Sequence, residues 1–170
     1  ATLAKVVPEI SITNPTKTQT SVGFEIAETD IDNVGAITKI ELVHANGTVV
    51  ADNIDVRSFA NLLSNNAYTV KVTYTYNLND GKGEQTIIKE TEIVTLAKAV
   101  PEISITNLSR TQTSVGFEIA EVDTDNVGAI TKIELVHANG TVVADNVDIR
   151  NFANLLSNND YTIKVTYTYD

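Results

Sequence analysis

Hydrophobic and polar residues alternate along several short segments of the chain. From Tyr68 to Tyr76 every second residue is Tyr or Val, and the residues between them are Thr and Lys. This period of two is typical of a strand with one buried and one solvated face. A second segment, Ser21–Ile26, places Val22, Phe24 and Ile26 on one face in the same way. Both segments therefore predict half-buried β-strands.

Other segments extend the same pattern. Glu9–Thr13 alternates over a shorter stretch, and Ile40, Leu42 and His44 share one face of a further strand. That strand runs into Asn46-Gly47, which favours a two-residue hairpin turn because both residues tolerate positive φ. A β-prone run follows from Gln85 to Val94.

Helical periodicity is lacking throughout. No segment of ten or more residues carries a helical stripe, and Phe59–Leu63 is long enough for only one helical turn. About seven short strands per repeat, separated by frequent turns, predict an all-β fold of two tandem antiparallel β-sandwich domains.

The chain contains one sequence twice. Residues 2–77 return as residues 95–170 with a constant shift of 93, and the two copies differ at 12 of the 76 aligned positions. A period of this length suits a small independent domain and is too long for a solenoid unit. We expect domains at 1–94 and 95–170. The second copy stops at Asp170 without a counterpart of residues 78–94, so its last strand is absent from the given chain. Either the polypeptide continues or a neighbouring chain donates that strand.

The inward positions of the predicted strands define an expected core. In the first copy, with equivalents 93 residues later in the second, it comprises Ile10, Ile12, Val22, Phe24, Ile26, Ile40, Leu42, Leu62, Tyr68, Val70 and Val72.

The sequence of each copy resembles the fibronectin type III module, which belongs to the wider immunoglobulin-like class. Tyr68 opens a Tyr-x-Val-x-Val strand, and Leu62 lies six positions before it. This arrangement is similar to the tyrosine corner of that family. Pro8 before the first strand and Gly35–Thr38 before the third are also similar to it. The second strand departs from the family, which usually carries Trp where this chain has Phe24. The resemblance implies a non-catalytic repeat module. Residues 77–83 occupy the loop that carries Arg-Gly-Asp in some members, but they lack that tripeptide.

Charge and composition narrow the choice of partner. The formal net charge is −10, and only 12 Lys and Arg are spread over 170 residues, so nucleic acid and anionic membrane surfaces are disfavoured partners. No apolar run reaches the roughly 18 residues of a membrane span, which argues against membrane insertion. The chain has no cysteine, so it offers neither disulfides nor thiolate chemistry.

An acidic loop in each copy is a candidate calcium site. Its candidate ligands are Asp30, Asp32 and Asn33 in the first copy and Asp123, Asp125 and Asn126 in the second. Carboxylate and amide oxygens suit calcium, and Gly35 and Glu41 fall near the sixth and twelfth positions of a calcium-binding loop. Val34 stands where that loop carries Asp or Asn, however, and no helices flank it. The alternative is a polar turn in which Asp and Asn cap backbone groups and the Gly takes a positive φ. Calcium is the only cofactor that the sequence suggests.

Sugar binding and catalysis find less support. Sugar sites need exposed aromatic platforms, but every Tyr shares its strand face with Val or Ile, and only Tyr76 and Tyr169 lie at strand ends. Each copy holds one histidine, His44 or His137, beside core positions. We therefore predict that the chain is not an enzyme and has no catalytic residues.

The functional prediction is a spacer or adhesion stalk of a secreted or cell-wall-attached bacterial protein, located outside the cell. The alternative is an accessory module, either linker or weak carbohydrate binder, of a large secreted polysaccharide-degrading enzyme. The expected partners are neighbouring repeats of the same chain and an extracellular protein or polysaccharide. Repeated copies would convert weak contacts into avidity.

Overall fold

The computed structural model describes residues 2–170, all of whose regular elements are β-strands. Backbone contacts divide the chain into two compact units, one ending at Lys98 (unit 1) and the other beginning at Ala99 (unit 2). Unit 1 contains seven strands: β1 Glu9–Lys17, β2 Val22–Thr29, β3 Gly35–His44, β4 Val49–Asp52, β5 Ser58–Phe59, β6 Ala67–Tyr76 and β7 Gln85–Val94. Unit 2 contains six: β8 Glu102–Arg110, β9 Val115–Val122, β10 Gly128–His137, β11 Val142–Asp145, β12 Asn151–Phe152 and β13 Tyr161–Tyr169.

Unit 1 is a sandwich of two antiparallel sheets. One sheet has the strand order β1-β2-β5 and the other has β4-β3-β6-β7. Phe24 and Phe59 of the first sheet stack with ring centroids 6.2 Å apart. They share one apolar cluster with Ile40 and Val72 of the second sheet. Burial of the inward residues of both sheets against each other is the main source of stability in such a fold.

Strand β6 confirms the predicted alternation. Its residues alternate between partly buried and buried along the whole strand, and Val70, Val72 and Tyr74 have no exposed surface. On one side β6 pairs with β3, and on the other it pairs with β7 from Ala67↔Val94 to Tyr76↔Gln85. It is therefore a central strand whose backbone groups are satisfied on both edges.

Unit 2 repeats this arrangement with one strand fewer. Its sheets have the orders β12-β9-β8 and β11-β10-β13, so β13 is an edge strand among the described residues. The fully formed part of its core is correspondingly small and consists of Phe117, Ile133, Leu135 and Phe152.

The structure buries the central residues of the expected core, but several residues predicted at its margin stay partly exposed. In unit 1, Ile12, Ile26 and Leu62 pack against the core but stay partly exposed. In unit 2, Ile105 is 37% exposed, and no strand of residues 2–170 lies beside it as β7 lies beside β1 in unit 1. The margin of the core thus depends on the neighbouring strands as well as on periodicity.

The hairpin at Asn46-Gly47 also differs from the prediction. His44 and Thr48 are joined by a backbone hydrogen bond, so the loop has three residues instead of two. Gly47 has φ 87°, whereas Asn46 is not in the left-handed region. A three-residue hairpin loop commonly consists of a type I turn followed by a left-handed glycine that forms a bulge. The register between β3 and β4 shifts at Leu42/Val43.

Residues 95–98 belong structurally to unit 1, although their sequence opens the second copy. The Thr95 hydroxyl donates to the Leu63 carbonyl at 2.7 Å, and Thr95 is only 2% exposed. The Leu96 amide donates to the Thr18 carbonyl at 2.9 Å. These bonds hold the segment after β7 against unit 1.

We predict that Phe24→Ala destabilises unit 1 by about 3–5 kcal/mol, since it leaves a cavity between the two sheets. Phe24 is 4% exposed. Chemical denaturation followed by circular dichroism should show an early transition for unit 1. Ile31→Ala is the matched control, because Ile31 is 78% exposed and should change stability little. An unchanged unfolding midpoint for Phe24→Ala would contradict the core assignment.

Candidate functional site

The acidic turn between β2 and β3 is organised around the carboxylate of Asp30. That carboxylate accepts hydrogen bonds from the backbone amides of Val34 at 2.8 Å and Gly35 at 2.9 Å. The Tyr74 hydroxyl lies 2.9 Å from this carboxylate and 2.7 Å from that of Glu28, so its single proton is shared between the two acceptors. Asp30 therefore ties the turn to the central strand β6.

The backbone of this turn places its left-handed residue at Asn33 and not at the glycine. Asn33 has φ 50°, and asparagine tolerates that region better than most residues. Gly35 is needed for space, because a Cβ atom there would lie 2.5 Å from the Thr75 carbonyl oxygen and 2.5 Å from the Tyr74 ring. The expectation of a positive φ at the glycine is thus wrong, and a close strand approach explains it instead.

The electrostatics of the turn favour a charged aspartate. Desolvation acts to raise the pKa of Asp30, but the hydrogen bonds from Val34, Tyr74 and Gly35 outweigh it and lower that pKa below its usual value. Desolvation, together with the neighbouring Glu28 and Asp30, raises the pKa of the Tyr74 hydroxyl. The tyrosine is therefore a permanent donor to a charged acceptor at neutral pH.

Unit 2 reproduces the turn. Asp123 accepts from the amides of Val127 at 3.0 Å and Gly128 at 2.9 Å, and from the Tyr167 hydroxyl at 2.7 Å. The backbone bond from Val127 is the main cause that lowers the pKa of Asp123, and desolvation opposes it. Asn126 has φ 53°. The same sequence therefore builds the same hydrogen-bonded turn twice.

The two other aspartates among the calcium candidates, Asp32 and Asp125, bond to backbone amides outside their turns. Asp32 accepts a hydrogen bond from the Val6 amide at 2.7 Å, and Asp125 accepts one from the Ala99 amide. Within residues 2–170 no group of three or more His, Asp or Glu side chains is arranged to hold a metal ion. The calcium site at Asp30, Asp32 and Asn33, with its copy in unit 2, stays a prediction. Calorimetric titration with calcium chloride tests it.

The histidines hold loops together. Nδ1 of His44 accepts from the Asn46 amide at 3.2 Å, so its Nε2 carries the proton and donates to Oδ1 of Asn66 at 3.0 Å. The ring meets Tyr68 edge-on with centroids 5.3 Å apart. His137 makes the same contacts with Asn139 and Asn159. Both nitrogens are engaged in structural bonds, and no nucleophile faces either ring among these contacts.

The aromatic side chains of unit 1 are buried in its core. Tyr68, Tyr74 and Tyr76 are each 7% exposed or less, as are Phe24 and Phe59. In unit 2, Tyr169 at the end of β13 is 52% exposed. Of the two strand-end tyrosines considered for sugar binding, only this one presents a ring to solvent.

Tyr68 forms the tyrosine corner that the sequence resemblance implies. Its hydroxyl accepts a hydrogen bond from the Leu63 amide five residues upstream at 3.0 Å. In unit 2 the Tyr161 hydroxyl accepts from the Leu156 amide at 3.1 Å. A bond from a tyrosine near the start of a strand back to the preceding corner is a hallmark of immunoglobulin-like sandwiches. Both units carry it.

Comparison with known proteins gives similarity at the level of structure. No protein-family model matches the sequence, and no curated protein matches it. Among solved structures the chain is similar to a segment of two fibronectin type III domains from chicken tenascin, with 15% identity and a TM-score of 0.39, covering 95% of this chain and 90% of that one. It is also similar to fibronectin(III)-like modules of Clostridium thermocellum CbhA, with 15% identity and a TM-score of 0.33, covering 95% of this chain and 86% of that one.

Taken with the tyrosine corner, the sheet topology defines the fold of the chain. The chain consists of two tandem antiparallel β-sandwich units, each with the tyrosine corner of immunoglobulin-like sandwiches. No helix among residues 2–170 has the length and apolar character needed to cross a bilayer.

The lowered pKa of Asp30 gives a pH-dependent prediction. A carboxylate with a depressed folded-state pKa stabilises the fold above its unfolded-state pKa, and that contribution disappears as the pH falls through the folded-state value. We expect Asp30→Asn to unfold earlier than the parent at pH 7 and the difference to shrink below about pH 4, near the ordinary aspartate pKa. Urea denaturation between pH 2 and 7 measures this.

Asp55→Asn is the matched control for that experiment, because the Asp55 side chain is exposed and accepts no hydrogen bond within the described residues. A difference between Asp30→Asn and the parent that stays constant with pH would contradict the role assigned to the carboxylate.

Proposed function

We propose that the chain is a spacer and adhesion stalk of a secreted or wall-attached bacterial protein, in which repeated units provide reach and multivalent display. The observation that carries the proposal is that the two copies are nearly identical and that the aromatic side chains of unit 1 are buried in its core. The copies differ at 12 of 76 positions, and the aromatic rings of unit 1 are buried. A module of this kind offers surface and length instead of a reaction centre.

The polar groups of the repeat support the same proposal. Asp30, His44 and Tyr68 each bond to a neighbouring turn or loop. Among the described residues no buried side-chain nitrogen or oxygen lacks a hydrogen-bond partner. A buried polar group without a hydrogen-bond partner is one mark of a catalytic or redox role. The polar groups of this repeat instead fix its turns, as a structural module requires.

The proposed surface location rests on composition. A net charge of −10 keeps closely spaced copies soluble. A chain without cysteine folds in an oxidising environment with no risk of wrong disulfides. The partners that fit this proposal are further copies of the repeat and an extracellular protein or polysaccharide.

One observation favours the alternative of a carbohydrate-binding accessory module. Tyr169 presents an exposed ring, and aromatic faces stack on sugars. A glycan array probed with the chain and with Tyr169→Ala tests it. Binding that disappears with Tyr169→Ala would replace the spacer proposal by this alternative.

The spacer proposal predicts that length grows with copy number. Chains with one, two and three additional copies of residues 2–94 inserted directly before Thr95 are compared by small-angle X-ray scattering. Each ten-residue strand spans about 33 Å, so we expect the maximum dimension to grow by about 30 Å per copy. A maximum dimension that stays constant, or that grows only as a compact globule would, contradicts the proposal.

A further inference from the structure

Each unit carries one Asn-Gly pair, and both pairs lie in the same kind of exposed hairpin loop. They are Asn46-Gly47 between β3 and β4 and Asn139-Gly140 between β10 and β11. Every other asparagine of the chain precedes a residue that has a side chain. Glycine lacks a Cβ atom, so its backbone nitrogen is the least hindered nucleophile that can follow an asparagine. By sequence, these two pairs are therefore the positions most open to deamidation.

Deamidation of such a pair needs no reagent other than water. The Gly47 amide nitrogen loses its proton and attacks Cγ of Asn46, and the side-chain nitrogen of Asn46 leaves as ammonia. The resulting five-membered imide then adds water at one of its two carbonyl carbons, which gives aspartate or isoaspartate. The whole change consumes one water, releases one ammonia and includes no oxidation or reduction.

The folded hairpin engages the attacking group. The Gly47 amide donates to the His44 carbonyl at 2.8 Å. The nitrogen of the imide has no proton, so this hydrogen bond must break before the ring can form. The proton held in the bond is also the one that must be removed in the first step. Ring closure is therefore coupled to opening of the hairpin.

Further hydrogen bonds keep the loop closed. Oδ1 of Asn46 accepts from the Thr48 amide at 2.9 Å, and the His44 amide donates to the Thr48 carbonyl at 2.8 Å. The Asn46 amide donates to Nδ1 of His44 at 3.2 Å. The His44 ring is itself fixed by Asn66 and by its edge-on contact with Tyr68. Several bonds must consequently be lost together for the loop to open.

Burial does not protect this loop. Asn46 and Gly47 are exposed, so water reaches them in the folded chain. The space around Gly47 is also open, since a Cβ atom there would meet nothing within 4 Å. Hydrogen bonding is thus what distinguishes the folded loop from the same residues in an unfolded chain.

Unit 2 contains the same loop with the same bonds. The Gly140 amide donates to the His137 carbonyl at 2.8 Å, and Oδ1 of Asn139 accepts from the Thr141 amide at 2.9 Å. The Asn139 amide donates to Nδ1 of His137 at 3.2 Å. One chain therefore holds two copies of this loop, and each can serve as a control for the other.

We propose that Asn46 and Asn139 are deamidation sites gated by their hairpins. The closed loop blocks attack by the following glycine, and each opening exposes the pair to conversion into aspartate or isoaspartate. Isoaspartate adds one carbon to the backbone of a three-residue loop, so the bonds between His44 and Thr48 cannot re-form unchanged. Each conversion also adds a negative charge to a chain whose net charge is −10. The proposal does not depend on the spacer function.

Asp80-Gly81 is a further pair at which such a ring can close. Its carboxylate accepts from the Lys82 amide at 3.1 Å and lies 3.1 Å from the Lys82 ammonium group. These contacts lower the pKa of Asp80, and the charged carboxylate that results reacts poorly with a nucleophile. Ring closure at an aspartate also releases no ammonia, so mass spectrometry separates it from deamidation.

Rates of deamidation in the intact chain test the proposal. The folded chain, the chain unfolded in guanidinium chloride and a synthetic peptide of residues 42–50 are incubated at pH 7. Peptide mapping by mass spectrometry then follows Asn46 and Asn139. We expect both to convert at least about tenfold more slowly in the folded chain than in the unfolded chain, because several hydrogen bonds must break first. The peptide should match the unfolded chain, since an isolated hairpin is barely stable. Equal rates in the folded and unfolded chains would overturn the proposal.

Hydrogen exchange in the same folded chain adds a quantitative test without any substitution. Exchange of the Gly47 amide needs the same opening and the removal of the same proton as attack on Asn46. We therefore expect the protection of this amide against exchange to agree within about threefold with the slowing of deamidation. The Gly140 amide and Asn139 should agree in the same way. A larger disagreement would show that ring closure does not follow hairpin opening, and it would overturn the proposal.

A histidine substitution tests the loop bonds one unit at a time. His44→Ala removes the acceptor of the Asn46 amide and the contact with Asn66. We expect conversion of Asn46 to become about threefold faster or more, whereas Asn139 in the same molecule keeps its rate. His137→Ala should give the reverse. An unchanged rate at Asn46, or equal acceleration at both sites, would overturn the assignment. The exchange measurement on the parent decides the proposal should either variant fold poorly.

Discussion

The packing of the alternating strand β6 between two neighbours is the constraint on which the rest of unit 1 depends. Its inward side chains Val70, Val72 and Tyr74 have no exposed surface, and its backbone is paired along both edges. Near its start, the same strand carries Tyr68 of the tyrosine corner. Near its end, the Tyr74 hydroxyl bonds to Asp30 of the acidic turn. One strand therefore links the core, the corner and the turn between the sheets. Because β-sheet stability comes from cross-strand and inter-sheet packing, every neighbour of β6 contributes to keeping these features in place.

Unit 2 allows a comparison, because its described residues contain one strand fewer than unit 1. Its sequence is nearly the same, its turns and its tyrosine corner form with the same hydrogen bonds, and its first sheet keeps the Phe117–Phe152 stack at 6.1 Å. The difference lies in burial, since Ile163 and Val165 are only partly covered. The hydrogen bonds of the turns thus form in both units, whereas the burial of the core depends on coverage by a neighbouring strand.

The sequence predicted the strands well because period-two alternation depends directly on which face of a sheet is buried. Tyr68–Tyr76 and Ser21–Ile26 carry that signal without interruption, and the structure places Tyr68–Tyr76 in β6 and Val22–Ile26 in β2, with Val22 and Phe24 buried. The hairpin at Asn46-Gly47 was predicted one residue too short, because an Asn-Gly pair is compatible with several turn types and the neighbouring register decides among them. Gly35 was assigned the wrong role for a related reason: its constraint is the approach of Thr75 and Tyr74 across the sheet, which no local pattern reveals.

The acidic turn shows why composition alone identifies a site poorly. Two aspartates, an asparagine and a glycine in six residues suit both a cation and a capped turn, and the deciding partner is Tyr74, 44 positions away from Asp30. The alternation of β6 offered a signal for this contact, since it placed an inward tyrosine near the end of the strand that the turn must cross. A tyrosine hydroxyl at the margin of a core needs a hydrogen-bond partner, and a carboxylate in the adjoining turn is the nearest group able to accept one. The acidic residues therefore satisfy the inward tyrosine of the strand, and the charge of the loop follows from the fold.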